Sequence, residues 1–133
     1  MKDKVVCVWI GEFDSKENFY NEYFSFNYED DDISQFAKDS ELEYYDEDFI
    51  ESWWFEKLSI SELKENKDVV LDSEYFFDDL IVELSKQNIS TYNTITFLFG
   101  EKGEKGSNQD LFDYESSNDK KTIRFVFKKE YQK

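Results

Sequence analysis

Carboxylates are the one reactive group this chain holds in quantity. In residues 44–56, YYDEDFIESWWFE, five of them (Asp46, Glu47, Asp48, Glu51 and Glu56) are interleaved with six aromatic rings and no Lys or Arg. Two kinds of chemistry fit such a stretch. Paired carboxylates can work as general acid and base, and carboxylates beside exposed rings suit a surface that holds a basic protein. With 32 acids in 133 residues, chance pairs are plentiful and none stands out as catalytic. The chain has no His, which removes the commonest neutral-pH proton carrier and excludes Ser-His and Cys-His nucleophile pairs and His-containing zinc sites.

Two other motifs have the outline of a site without its chemistry. Asp30, Asp32, Ser34 and Glu41 match positions one, three, five and twelve of a calcium loop, but the sixth position is Gln35 where that loop needs Gly for its turn. The segment GEKGEKG (100–106) lacks the G-K-[S/T] ending and the following apolar helix of a phosphate cradle, and reads as a solvated loop. No metal, cofactor or catalytic residue is expected.

The elements that carry these residues follow from spacing. VVCVWI (5–10) is short, apolar and β-branched, the pattern of a strand buried on both faces. Asp14 or Ser15 can cap a following helix of about three turns with Phe19, Tyr20, Tyr23 and Phe24 on one stripe. A short helical turn is expected around 33–37 and another at 61–66, with a short extended piece at 42–45. A helix is expected from about 48 to 55, with Asp46, Glu47 and Asp48 at its positive end and Phe49, Ile50 and Trp53 buried. Trp54 at the stripe's edge and Phe55 on the far side are then the exposed rings. The strongest helix pattern is 72–86, capped by Asp72 or Ser73, with Phe76, Phe77, Leu80, Ile81 and Leu84 in one arc. TITFLF (94–99) and TIRFVF (122–127) read as strands, the second alternating Ile123, Phe125 and Phe127 against Thr122, Arg124 and Val126. Residues 111–115 suit a further edge strand. The pattern predicts an α+β fold: a single domain over residues 1–133, with a mixed or antiparallel sheet of about four strands and helices packed mainly on one face.

Charge is the most informative quantity. The net is −16, yet residues 29–56 carry twelve acids against one base, Lys38, a net of −11, while residues 120–133 carry six bases and one acid. Helix-dipole effects account for Asp46, Glu47 and Asp48. They do not account for the adjacent Asp30, Asp31 and Asp32, nor for the lack of any cation between Glu41 and Glu56. Such a surface repels nucleic acid and anionic membrane and favours a basic protein partner. The candidate partner-binding residues are Asp30, Asp31, Asp32, Glu47, Glu51, Trp54 and Phe55. The single cysteine, Cys7, sits in an apolar run and cannot form an internal disulfide. The apolar stretch at the N-terminus is too short for a signal peptide or a span, so the expected compartment is the cytoplasm. Nothing in the sequence fixes an oligomeric state.

Three segments, VWIGEF (8–13), YDEDF (45–49) and NTITFLF (93–99), in this order and spacing, resemble the immunity protein 22 family of bacterial polymorphic toxin systems. The resemblance implies an α+β domain that binds and neutralises a cognate toxin domain without catalysis, and the acidic charge suits a nuclease toxin with a basic surface for phosphate. It assigns no binding residue. Two other functions fit the acidic composition: a DNA mimic that blocks DNA-binding proteins broadly, and a small hydrolase using two carboxylates.

Overall fold

In a computed structural model of the chain, residues 3–24, 34–42, 45–70, 73–87, 89–103, 106–115 and 123–132 are described. Four strands, β1 (Lys4–Gly11), β2 (Ile50–Trp54), β3 (Thr94–Glu101) and β4 (Ile123–Tyr131), form one antiparallel sheet in the order β2-β3-β1-β4. The longest buried runs take the two central places, where both faces are covered: residues 5–11 of β1 and 94–100 of β3 are buried throughout. β2 and β4, with more charge, are the edges.

Alternation along β1 divides the core in two. Val6, Val8 and Ile10 face one cluster with Phe97, Phe99, Leu63, Phe76, Leu80 and Leu84. Val5, Cys7 and Trp9 face a second with Leu98, Tyr23, Phe36, Tyr45, Leu111 and Tyr114. The helices α2 (Ile60–Glu65) and α3 (Phe77–Ser85) cover the first face. α1 (Gln35–Ser40), the turn Asn18–Glu22 and the 3-10 turn Gln109–Asp113 cover the second. The fold is α+β as expected, but helical cover is on both faces rather than mainly one, because β1 is apolar on both sides and Leu98 of β3, beside the buried Thr94 and Thr96, joins its second face. The second cluster is held largely by rings: Trp9 meets Phe36, Tyr114 and Phe125 at centroid distances of 5.1–5.6 Å, all tilted or edge-on.

Capping residues set most of the short helices. Ser34 Oγ accepts the Ala37 N–H (3.0 Å) to start α1, and Ser59 Oγ accepts the Glu62 N–H (3.1 Å) to start α2. Ser34 is thereby a buried cap rather than a ligand of a calcium loop. Ser15 Oγ accepts the Asn18 N–H, so the expected cap is in place, but the helix it opens is shorter than three turns and widens into a π-turn at Asn18–Glu22, closed by Tyr23 N–H to Asn18 O. Phe13 fills the space beside it, 4.8 Å from Phe19 and 4.6 Å from Tyr23.

The 72–86 pattern is interrupted. A 3-10 turn at Ser73–Tyr75 ends on Phe76 (φ −144°), and the α-helix proper begins at Phe77 with no side-chain cap. Phe76 leaves helical geometry so that its ring reaches Phe97, Phe99 and Tyr131 on the sheet.

Three further expectations are corrected. Residues 50–54 are a strand, not part of a helix over 48–55; only Glu47–Phe49 form a turn, which Asp46 caps by accepting the Asp48 N–H (3.1 Å). Over so few residues a period of two fits as well as 3.6, and sheet pairing decides: Ile50 turns to the second cluster, Trp53 and Phe55 to the first. Residues 109–113 form a 3-10 turn instead of an edge strand, placing Leu111 in the second cluster and Tyr114 Oη on the Ser40 carbonyl (2.6 Å). In β4, strict alternation breaks at Val126, an extra residue where Val8 faces Phe127 and Trp9 faces Phe125. This bulge turns Val126 and Phe127 toward the first cluster while Ile123 and Phe125 stay with the second. Of the expected extended piece at 42–45, residues 43 and 44 lie outside the described residues, and Leu42 and Tyr45 are buried in the second cluster.

Candidate partner-binding edge

β2 is placed by two clips, one at each end. At its start, Asp46 N–H donates to Asn108 Oδ1 (2.6 Å), Ser107 Oγ donates to Asp46 Oδ2 (3.0 Å), and Asn108 Nδ2 donates to Phe99 O (2.9 Å). Asn108 can do this because it adopts the left-handed conformation (φ 54°), which Asn tolerates better than most residues. The glycine loop before it has a structural purpose. A side chain at Gly106 would strike the Glu101 carbonyl, whose own N–H is bonded to Ser107 O (2.9 Å). Asp46 is accounted for by this clip.

At the other end, Asn93 ties three segments together. Its Oδ1 accepts the Phe13 N–H (3.0 Å) and its Nδ2 donates to Phe13 O (2.8 Å), so the side chain acts as an extra strand residue. Its backbone N–H donates to Gly11 O (2.9 Å), and its carbonyl accepts the Phe55 N–H (2.7 Å). Asn93 and the 8–13 segment, both in the stretches that carry the family resemblance, thus meet at the end of β2.

Between the clips, Glu51 and Trp53 pair with Phe97 and Ile95 and so stand on the first face, while Ser52 and Trp54 pair with Thr96 and Thr94 on the second. All five β2 residues are half-buried. Trp53 packs edge-on to Phe97 (5.6 Å) and serves the core. Phe55 also leans on the first cluster and is half-buried, beside an apolar crevice lined by Trp53, Val69, Val70 and Phe77 with about 10 Å³ free. That is room for no more than about one water.

Of the seven candidate residues, Glu51, Trp54 and Phe55 come together at this edge, though on both faces of the strand rather than one side of a helix. Glu47 lies in the turn just before it. Asp30, Asp31 and Asp32 are outside the described residues. Exposed Asp48 and Glu56 flank the same edge. Two rings not foreseen as surface join them: Phe49 and Tyr20, each 39% exposed. The helical spacing places Tyr20 on a buried stripe; its Oη instead accepts the Trp54 N–H (2.7 Å), and its place directly after the buried Phe19 is the signal for the surface.

Strand order separates charge. Residues 46–56 at the β2 edge hold five acids and no base, whereas β4 at the opposite edge holds Arg124, Lys128 and Lys129 against Glu130. Three interstrand steps, about 14 Å, lie between them, more than a Debye length at physiological salt. Part of the basic tail is structural: Lys128 Nζ donates to the carbonyls of Phe112 (2.9 Å) and Tyr114 (3.2 Å), and Lys129 pairs with Asp79 of α3 (2.8 Å).

Other chemistry is sparse. Among the described residues no group of three His, Cys, Asp or Glu side chains is arranged to hold a metal, and no helix is long and apolar enough to cross a membrane. Two open depressions of about 200 and 260 Å³ lie at Tyr45–Asn108–Asp110 and Asp68–Glu74–Asp78; the carboxylates of the second are exposed. Burial pushes the Cys7 thiol up to about 12, partly offset by Lys128, so it is an inert core residue. Tyr23 is raised by burial and by its bond to Asp39 Oδ2 (2.7 Å).

No curated protein and no solved structure matches the chain. A family model does: that of immunity protein 22, over residues 6–131, a span that takes in β2, β3, β4, all of β1 but its first two residues, and both clips of β2. The chain belongs to the immunity protein 22 family.

Proposed function

We propose that this immunity protein neutralises its cognate toxin domain by binding alone, through the acidic, ring-bearing edge around β2, and that the toxin presents a basic surface there. One observation carries the choice of edge: β2 and its flanks concentrate five carboxylates without a cation, beside Trp54, Phe49 and Tyr20. Like-signed acids favour a basic partner and hasten its encounter, while rings slow its departure. Asp30, Asp31 and Asp32 lie outside the described residues and are proposed to add charge to this binding surface. A nuclease toxin, which must carry cations for phosphate, fits this chemistry. The protein acts in the cytoplasm, and the whole described chain serves as one binding domain.

The site chemistry among the described residues supports binding without catalysis. A carboxylate-pair hydrolase needs two acids in a cavity that shields them. The carboxylates grouped here at Asp68, Glu74 and Asp78 are solvent-exposed, and the crevice next to β2 is apolar and almost filled.

The test is association kinetics with the toxin domain encoded beside this chain's gene, in about 50 and about 300 mM salt, between which the Debye length shrinks from about 14 to about 6 Å. Association should slow at the higher salt, and reversing Asp30, Asp31 and Asp32 to Lys should slow it further and flatten the salt dependence. Rates indifferent to salt would remove the electrostatic part. Equal binding to unrelated basic nucleases would replace specific immunity by DNA mimicry.

A further inference from the structure

We infer that β2 takes up an extended segment of the toxin as a fifth strand, on its outward edge centred on Ser52, and that this segment carries lysine or arginine. The inference rests on the toxin-binding function proposed above and specifies how the contact is made.

Hydrogen-bond geometry identifies which backbone groups are free for it. Phe55 N–H donates to Asn93 O, and in the β2–β3 register Trp53 faces Ile95 and Glu51 faces Phe97. In an antiparallel pair the bonded residues alternate. Glu51 and Trp53 therefore turn their N–H and C=O groups toward β3, and Ile50, Ser52 and Trp54 turn theirs outward. The Trp54 N–H confirms the phase, since it meets Tyr20 Oη and not β3. Among the described residues none bonds the outward N–H and C=O of Ser52, at the middle of the strand.

The two edges of the sheet differ in how they are guarded. β4 carries a bulge at Val126 together with Arg124, Lys128 and Lys129, the devices that keep another strand from pairing. β2 has an unbroken register with β3, no Pro, no Lys and no Arg. Charge then selects what can pair. Asp46, Asp48, Glu51 and Glu56 lie on or beside β2, so a second copy of this chain would bring the same charges and be repelled. A strand with cations on the side of Glu51 and an apolar residue on the side of Trp54 would be drawn in. Main-chain bonds would hold it and the alternate side chains would select it.

The experiment uses amide hydrogen exchange on the whole chain, free and bound to the toxin domain encoded beside its gene. Exchange at the Ser52 amide should slow by at least about tenfold on binding, beyond any change at Glu51 and Trp53, whose amides already face β3. The variant S52P removes an N–H that has no partner among the described residues, at an edge position where Pro is tolerated. It should keep the wild-type melting temperature and weaken binding by at least about tenfold. A complex that forms while the Ser52 amide exchanges as in the free protein would overturn strand addition and leave the toxin-binding function standing, as would a folded S52P that binds like wild type. Failure of the wild-type chain to bind the toxin domain would overturn both. A dimer of this chain that protects the Ser52 amide without toxin would also overturn the inference.

Discussion

Asn93 offers the sharpest test of how the β2 edge is held. The substitution Asn93→Ala deletes two side-chain bonds to Phe13, of 3.0 and 2.8 Å, while leaving the backbone bonds to Gly11 and Phe55 in place. Each bond is worth about 1 kcal/mol net, and the Phe13 N–H and C=O, part-buried, then lack their partners, which adds somewhat to the loss. The expected destabilisation is about 2–3 kcal/mol. For 133 residues the unfolding entropy near the midpoint is about 280 cal/mol/K, so the melting temperature should fall by about 7–11 °C. Asn93→Asp keeps the acceptor for the Phe13 N–H and loses the donor, so about half that fall is expected. Thermal unfolding followed by tryptophan fluorescence reads both variants. A fall below about 2 °C for Asn93→Ala would refute the assignment of Asn93 as the joint between the 8–13 segment, β3 and β2.

Other outcomes follow from the same structure. Ser34→Ala removes the buried cap of α1 and should cost about 1 kcal/mol in denaturant unfolding, with binding affinity for the toxin domain unaltered. Cys7 should resist alkylation in the native protein and react once unfolded. Its folded-state pKa is raised, so the stability it contributes is complete below the ordinary thiol range and is lost as pH rises toward about 12. Against a Cys7→Ala control, the wild type should therefore lose about 1.4 kcal/mol more per pH unit across that window, measured by urea unfolding.

The central strands were legible because short β-branched and aromatic runs have no other stable reading in a small domain: residues 5–10 are apolar throughout, and in 94–99 only Thr94 and Thr96 interrupt the apolar residues. β2 was not, since Phe49, Ile50 and Trp53 make a helical stripe as readily as alternate faces of a strand. The pairing of residues 50–54 with 94–98 that decided the matter is a long-range contact no local pattern contains. The end of β4 was hidden for a related reason, because Lys128, Lys129 and Glu130 at a half-exposed edge carry no hydrophobic signal. The bulge at Val126 shifts the alternation in a way visible only against β1. For the candidate site, composition pointed to Glu51, Trp54 and Phe55, and these are neighbours at the sheet edge, although they had been chosen as points on a helix. Phe55 is more buried than that helix implied. Tyr20 was missed because a ring one residue out of phase with a buried stripe looks like part of it.

Toxin binding at the β2 edge is the central claim to test. The direct measurement is the dissociation constant of the toxin domain for the wild type and for Glu51→Lys and Trp54→Ala, with melting temperatures taken in parallel. Each variant should bind at least about tenfold more weakly, a loss of about 1.4 kcal/mol or more, while remaining folded. Wild-type affinity in both folded variants would contradict the account and place the interface elsewhere on the molecule.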